Sequence, residues 1–323
     1  MKKSGNIHNN FFLELFSDEK NVRDFLRISL PDVILNALDL GSLDFDKNSY
    51  ISKKLKSSYQ DLIFKVKTVD KNDADIYFLV EHKSNIDKSS GQAIFNQIHK
   101  YQYLMWQNDL DNNRPNRVII PLVFYHGKNS WDIPLNFSEL FNVSDEIRQY
   151  LLNFKYILFN TELFNEKEAK IFDNIYLLSG LSALKNIFND NLEPLADIIR
   201  IYYNNQDINS FDRLEIILHY YSEVKSIDEE KFEEVLDFLD KDEEEVVLTF
   251  IDSIKKKGKI EGKIEGKIEG EQSALIKLIR KKFILDDFDL SIIKDCYDSI
   301  KLEKALDEIL SAETKESVLK YLR

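Results

Sequence analysis

The sequence predicts a mixed α/β domain over about residues 1–137, followed by a mostly α-helical region that continues to residue 323. Apolar runs with the alternation or the β-branched composition of strands indicate the first domain, together with a helical apolar pattern between them. A change of character beyond residue 137 indicates the second region, because leucine, isoleucine and phenylalanine then recur at helical spacing among many acids. The hydrophobic fraction of 43% is enough to build a core.

The predicted elements of the first domain alternate in the order helix, strand, strand, helix, strand. They are a helix over residues 8–38 interrupted by Pro31, a strand over 60–69, a turn over 70–75, a strand over 76–80, a helix over 91–106 and a strand over 118–124. The helix over 91–106 has one apolar face, made of Ile94, Phe95, Ile98, Tyr101 and Met105. The second strand is a continuous apolar run, which is typical of a strand buried on both sides.

The helical region divides into three predicted parts: an accessory region over 138–250, a repeat over 251–272 and a C-terminal helical unit over 273–323. The repeat contains GKIEGKIEGKIEG, in which the glycines Gly258, Gly262, Gly266 and Gly270 lie four residues apart. As a helix this segment would carry a stripe of glycine that lets a partner helix approach closely, although each glycine costs about 1 kcal/mol relative to alanine. Two interpretations remain: a helical linker or dimerisation stalk, and a flexible low-complexity spacer.

Charge is distributed unevenly along the chain, whose formal net charge is -13. Residues 1–137 carry 18 basic and 17 acidic side chains. The acidity therefore belongs to residues 138–323, which carry 26 basic and 40 acidic side chains. Residues 47–67 contain six lysines and a single acid, Asp61. This stretch suits a polyanion such as a nucleic acid with a metal ion at the centre, or alternatively a solvated strand edge on which lysine prevents aggregation.

Several features predict a soluble, cytoplasmic protein. The longest apolar stretch, Val118 to Tyr125, is far shorter than the roughly 20 residues that cross a bilayer. The first residues lack the apolar run of a signal peptide. Cys296 is the single cysteine, so the chain has neither an internal disulfide nor a thiolate metal site.

The pattern that indicates chemistry is Asp61 followed twenty residues later by Glu81-x-Lys83. Residues two apart on a strand lie on the same face. If residues 70–75 form the turn of an antiparallel pair, paired residue numbers sum to about 145, which places Asp61 opposite residues 83 and 84. An Asp, a Glu and a Lys would then meet at the end of a buried strand, as a functional site or as a structural salt-bridge cluster.

Metal-dependent phosphodiester hydrolysis is the chemistry that uses such a set. Two carboxylates provide the hard oxygen ligands that Mg²⁺ prefers, and the lysine offsets the negative charge that develops on phosphorus. The metal ion neutralises the phosphate and lowers the pKa of the attacking water.

The first 135 residues also carry a series of ordered motifs. They are His8 to Phe12, Phe25-Leu26 with Leu30-Pro31, Ser58 to Val66, Tyr77 to Ser84, Tyr101, and Ile120 to Gly127 with Trp131. In these motifs the chain resembles the Rpn (recombination-promoting nuclease), or YhgA-like transposase, family, which is part of the PD-(D/E)xK nuclease superfamily. The glycine repeat is similar to the Gly/Glu-rich repeats of family members.

The resemblance implies a restriction-endonuclease-like fold, in which a mixed sheet is flanked by helices. It implies metal carboxylates at Asp61 and Glu81, the motif lysine at Lys83, and Gln97 as a further polar residue of the active site. The start motif of the family often reads His-Asp and later Phe-Lys, whereas this chain has Asn9 after His8 and Leu13 after Phe12. If that helix supplies an acid to the metal site, Asn9 cannot, and Glu14 is at best a substitute, which disfavours a second metal ion.

The five histidines show no zinc-binding spacing, and His82 is predicted to be a packed core residue on the face opposite Glu81. The sequence thus predicts a Mg²⁺-dependent DNA endonuclease with an implied role in promoting DNA recombination or transfer, or in defence. DNA is the expected partner, and the C-terminal helices are expected to form a homo-oligomer. Two alternatives share these residues: a nuclease that acts on RNA, and a non-catalytic, self-associating protein on a nuclease-like scaffold.

Overall fold

The sheet of the protein has five strands, and a computed structural model describes it together with the helices around it. The described residues are 7–45, 62–69, 75–86, 90–165, 174–205, 210–226 and 229–322. The strands are β1 (Leu38–Phe45), β2 (Leu62–Thr68), β3 (Asp75–Lys83), β4 (Val118–Tyr125) and β5 (Ile157–Asn160). Their order in the sheet is β1-β2-β3-β4-β5; β1, β2 and β3 pair antiparallel, whereas β3, β4 and β5 are parallel.

The helices of the first 246 residues surround this sheet or pack beyond it. They are α1 (Ile7–Leu15), α2 (Glu19–Ser29), α3 (Asp32–Leu35), α4 (Ser90–Asp111), α5 (Asp145–Arg148), α6 (Ile175–Asn186), α7 (Glu193–Asn204), α8 (Ser210–Lys225) and α9 (Glu229–Leu236), with short 3₁₀ helices at Phe137–Leu140 and Thr161–Leu163. The parallel pair β3 and β4 is connected through α4, as a crossover between parallel strands requires.

The two faces of the sheet have different coverings, because neighbouring residues of β4 point in opposite directions. Val123 and Tyr125 pack in one cluster with Ile94, Phe95 and Ile98 of α4. On the other face, the Phe124 ring lies 5.1 Å from that of Phe12 and 5.7 Å from that of Phe25, measured between centroids. The sheet is therefore covered by α4 on one face and by α1 and α2 on the other.

The predicted strands that correspond to β2, β3 and β4 and the helix that corresponds to α4 agree with the structure in type and differ at their ends, whereas the helix expected over 8–38 is divided into α1, α2 and α3. The helix expected over 91–106 runs from Ser90 to Asp111. Its predicted apolar face is confirmed, since those five side chains are at most 1% exposed. The strand expected to stop at Val80 continues to Lys83, so that Glu81 and Lys83 lie within it.

Two predictions about the antiparallel strands are wrong. The helix expected to continue to residue 38 gives way there to strand β1, for which the sequence predicts no element; the register of β1 shifts between Asp39 and Asp44, which breaks the alternation by which a strand is recognised. In the hairpin, Leu62 pairs with Val80 and Lys67 with Asp75, so paired numbers sum to 142 rather than 145.

The chain divides into two compact units, Met1–Val246 and Val247–Arg323. The predicted boundary near residue 137 stays a prediction; β5 of the same sheet lies beyond it. The second unit contains most of α10 (Lys241–Lys282), then α11 (Asp287–Lys294), α12 (Ser299–Glu308), α13 (Lys315–Leu319) and a 3₁₀ helix at Lys320–Leu322. Its core includes Leu275, Ile279, Ile293 and Leu302.

The glycine repeat lies within α10 and is helical, while its role as a linker or dimerisation stalk stays a prediction. A Cβ atom added at Gly262, Gly266 or Gly270 would meet no atom within 4 Å. Ile268, by contrast, faces the core of the second unit.

Over the described ranges, none of the helices combines the length and apolar character that a membrane span needs.

Candidate functional site

A chain of polar side chains begins at the last residue of β3. The Lys83 Nζ atom donates a hydrogen bond to Gln97 Oε1 at 3.1 Å, and Gln97 Nε2 donates to the Tyr101 hydroxyl at 2.9 Å. Gln97 and Tyr101 lie four residues apart on α4, which places them on the same side of that helix. Tyr101 is fully buried, so its hydroxyl gives the chain a fixed end within the core.

The predicted site residues are therefore placed to different extents. Lys83 and Gln97 are brought together by β3 and α4. Glu81 lies two residues before Lys83 in β3, and its backbone pairs with Val123 of β4. Asp61 lies outside the described residues; it directly precedes Leu62, whose partner Val80 directly precedes Glu81.

The ends of β3 and β4 are tied together by the residues that follow Tyr125. The backbone N–H of His126 donates to the carbonyl oxygen of Lys83 at 3.1 Å. Gly127 comes next, and a Cβ atom there would lie 2.3 Å from the Tyr125 hydroxyl, so only glycine fits. This turn fixes the position of Lys83 relative to β4 through the backbone.

A second chain of polar contacts lies on the other face of β3. His82 Nε2 is 3.1 Å from His126 Nδ1, His126 Nε2 is 3.3 Å from His8 Nδ1, and the same His8 atom is 2.8 Å from the Tyr220 hydroxyl of α8. Aromatic rings enclose these histidines: Phe12 stacks on His82 at 4.5 Å. His82 packs against Phe12 as predicted but is half-buried, whereas its grouping with His8 and His126 had no signal in the sequence, because the three residues are far apart in it.

Burial keeps this histidine chain neutral. Removal from water lowers the pKa of His82 to about 3, with smaller contributions from His8 and Lys83. The same cause lowers the pKa of His126 far below its ordinary value, and that of His8 as well. The chain therefore serves as a neutral hydrogen-bonded contact between β3, β4, α1 and α8.

Within the part of the chain that the structure describes, no three His, Cys, Asp or Glu side chains are grouped so that they could hold a metal ion. The described portion of the site offers an ammonium group, an amide and a phenol. Such groups bind and orient an anion or a polar substrate.

Fold and site together define an α/β protein whose polar centre lies where a central strand ends beneath a helix. The sequence profile described as "Putative transposase, YhgA-like" matches residues 6–239, and the chain belongs to this family. The resemblance seen in the sequence motifs is confirmed.

Curated relatives carry the names of nucleases. The chain is 30% identical over 125 residues to recombination-promoting nuclease RpnD of Escherichia coli O157:H7, covering 38% of this chain and 46% of the relative. It is 32% identical over 127 residues to recombination-promoting nuclease RpnA of Escherichia coli K12, which covers 39% of this chain and 42% of that relative. A third relative, 29% identical over 144 residues and covering 44% and 46%, is named an inactive recombination-promoting nuclease-like protein, RpnE, of the same strain.

The chain spans less than half the length of these three relatives. No solved structure is significantly similar to it.

Proposed function

We propose that the protein is a Mg²⁺-dependent DNA endonuclease with a restriction-endonuclease-like fold, of the PD-(D/E)xK type. Asp61 and Glu81 are the proposed metal ligands, and Lys83 and Gln97 the proposed active-site partners. The proposed role is to promote DNA recombination or transfer, or to act in defence. The names of RpnD and RpnA support a nuclease.

The observation that carries this proposal is the hydrogen bond from Lys83 to Gln97. A lysine at the end of a central strand is held by a neutral amide, which is in turn held by a buried tyrosine. Preorganised donors of this kind are effective catalytic groups because they need no rearrangement during the reaction. A lysine that served only solubility would need no such support.

The proposed metal site fits the residues of the chain by donor chemistry. Asp61 and Glu81 offer carboxylate oxygens, the donors that Mg²⁺ prefers, while His8, His82 and His126 are engaged with one another on the other face of β3. Alternation along a strand places positions 81 and 83 on the same face. One metal ion held by Asp61 and Glu81 would neutralise phosphate charge and make a bound water more acidic.

The other residues have roles that follow from their position. The Lys83 ammonium group binds a non-bridging phosphate oxygen and offsets the negative charge that grows there as a water molecule attacks the phosphorus. Gln97 orients the ammonium group, and Tyr101 orients Gln97. The turn at Gly127 keeps β3 and β4 aligned.

A non-catalytic, self-associating protein is the alternative, and a specific finding favours it. Two relatives, RpnE and YjiP of Escherichia coli K12, carry names that describe them as inactive. This chain has Asn9 and Leu13 where the family motif often has an acid and a lysine. The two proposals differ in whether purified protein cleaves nucleic acid.

Cleavage of supercoiled plasmid tests the proposal, with and without Mg²⁺, beside single-stranded RNA under the same conditions. We expect metal-dependent nicking of DNA by the wild type and its loss in Asp61→Ala and in Lys83→Ala, with unchanged circular dichroism. Lys100→Ala, a variant of an exposed lysine on α4, is the control and should cleave like the wild type. Activity that survives Asp61→Ala would contradict the assignment of Asp61 to the active site. Cleavage of RNA but not of DNA would show that the substrate is RNA.

We also propose that the protein is a homo-oligomer through its C-terminal helices, with two copies of α10 side by side and parallel. Lys263 lies on one flank of the glycine stripe, and Glu265 and Glu269 lie on the other. In a parallel pair related by a two-fold axis, the lysine flank of each helix faces the glutamate flank of the other; an antiparallel pair would oppose like charges. The open space at Gly262, Gly266 and Gly270 supports a close approach.

A further inference from the structure

A cleft of about 800 Å³ lies in the first unit, beside the N-terminal end of α4. Ile86 and Ile133 contribute apolar surface, and Phe137 and Phe141 contribute aromatic rings. Polar side chains come from Gln92 and Asn96 of α4 and from Asn129, Ser130 and Asp132 of the segment after β4.

The side chains that line the cleft are suited to a flat ligand without charge. Gln92 and Asn96 lie four residues apart on α4, so the two amides are neighbours. The part of the lining that the structure describes contains one charged residue, Asp132, and no cation, which disfavours a phosphate group. The side chains of Gln92, Asn96 and Asp132 are exposed and make no hydrogen bond to other described residues.

We infer that this cleft binds a single unpaired nucleobase that carries an exocyclic amino group. Amide side chains pair with the edges of bases, a carboxylate accepts a hydrogen bond from an amino group, and apolar and aromatic side chains pack on the flat faces of a base. Adenine, cytosine and guanine have an amino group for Asp132 to accept from, whereas thymine and uracil present carbonyl oxygens instead. The inference rests on the proposed function, since it supplies the nucleic acid.

The location of the cleft agrees with this role. Ile86 follows Lys83 by three residues, and Asn96 adjoins Gln97 on α4. The cleft and the Lys83–Gln97 pair therefore share one helix and the end of one strand. The start of this helix lies directly against Ile133, because a Cβ atom at Gly91 would be in ordinary van der Waals contact with it at 3.4 Å.

Binding of fluorescein-labelled single-stranded decamers dA10, dC10 and dT10, measured by anisotropy in EDTA, tests the inference without any cleavage. We expect dA10 and dC10 to bind about tenfold more tightly than dT10, which corresponds to one good base contact. Asp132→Asn replaces an acceptor by an amide and should abolish the preference. Gln92→Ala should weaken binding of dA10 and dC10.

Two control variants match these changes. Glu223→Gln removes a negative charge from an exposed site on α8, and Gln107→Ala removes an exposed amide contact further along α4; both should keep the preference. Equal binding of the three decamers by the wild type, or a preference that survives Asp132→Asn, would overturn the inference. Because no metal ion is needed, a base preference without plasmid cleavage would separate failure of the nuclease proposal from failure of this one.

Discussion

Single side chains join the candidate site to the core by short hydrogen-bonded chains. Lys83 reaches the buried Tyr101 through one amide, and His82, its neighbour in sequence, reaches Tyr220 through two histidines. Because neighbouring strand residues point in opposite directions, the two chains hold the end of β3 from both faces. Each of the two hydrogen-bonded chains leads to a separate testable prediction.

Loss of the Tyr101 hydroxyl should slow the proposed cleavage without weakening substrate binding. Tyr101→Phe removes the hydroxyl that accepts from Gln97 Nε2, so Gln97 and with it Lys83 are held less firmly. One net hydrogen bond of about 0.5–1.5 kcal/mol corresponds to a fall in kcat of roughly twofold to tenfold. Single-turnover cleavage of a labelled duplex measures it. Tyr103→Phe, which removes an exposed hydroxyl bonded to Gln107 on the same helix, should leave the rate unchanged.

The neutral histidines make stability depend on pH. The pKa of His82 is about 3 when folded and near 6.5 when unfolded, so the unfolded state binds more protons between these values. The free energy of unfolding should therefore fall as pH drops below about 6.5, by on the order of 1 kcal/mol per pH unit. In His82→Phe, which keeps the stack on Phe12, this slope should be smaller.

Urea denaturation at pH 7.5, 6.0 and 5.0 measures how the free energy of unfolding changes with pH in the wild type, in His82→Phe and in a control variant. His219→Gln, a change on α8 outside the histidine chain, serves as control and should keep the slope of the wild type. An identical slope in His82→Phe would show that other groups account for the acid sensitivity.

At the scale of elements, two sets of glycines have opposite surroundings. Gly180 of α6 lies against α1, where an added Cβ would be 2.5 Å from Leu15 Cδ1, and Leu15 is fully buried. Glycines of the repeat in α10 have open space instead. The same substitution should therefore have opposite effects at the two places.

Gly180→Ala should destabilise the first unit by about 1–3 kcal/mol, because the fully packed Leu15 has nowhere to move. Gly262→Ala should stabilise α10 by about 1 kcal/mol in a single copy, through helix propensity alone. Hydrogen exchange followed by mass spectrometry assigns each change to its helix. Equal stability of Gly180→Ala and the wild type would contradict the close packing of α6 on α1.

At the scale of the whole molecule, the helix α10 leads from one compact unit into the other. Deletion of residues 258–323 should change the oligomeric state while metal-dependent cleavage persists, because the proposed catalytic residues all belong to the first unit. Light scattering coupled to size-exclusion chromatography measures the mass. If the deletion variant contains as many chains per particle as the full-length protein, self-association through the C-terminal helices is rejected.

The sequence allowed the helix α4 and its buried face to be predicted, because a long, regular apolar pattern leaves little choice of structure. The family motif named Lys83 and Gln97 separately as site residues, but it did not predict the hydrogen bond between them, which depends on how α4 packs on β3. The hairpin register was wrong by three, since a polar turn of unknown geometry does not fix which residues pair. The contact of His82 with His126 and His8 depends on tertiary packing across residues far apart in the chain, which no local pattern contains.

Helix α4 also separates two groups of residues around its own circumference. Gln97 is about 100° from Asn96 and about 140° from Gln92 at 3.6 residues per turn. If the phosphodiester bond is cut on the side of α4 that carries Gln97 and a base is held on the side that carries Gln92 and Asn96, the thickness of the helix, about 10 Å, sets the distance between the two. With roughly 3.4 Å per nucleotide along a stacked strand, the cut would fall about three nucleotides from the recognised base. Cleavage products would then share a common base at a constant offset from their ends.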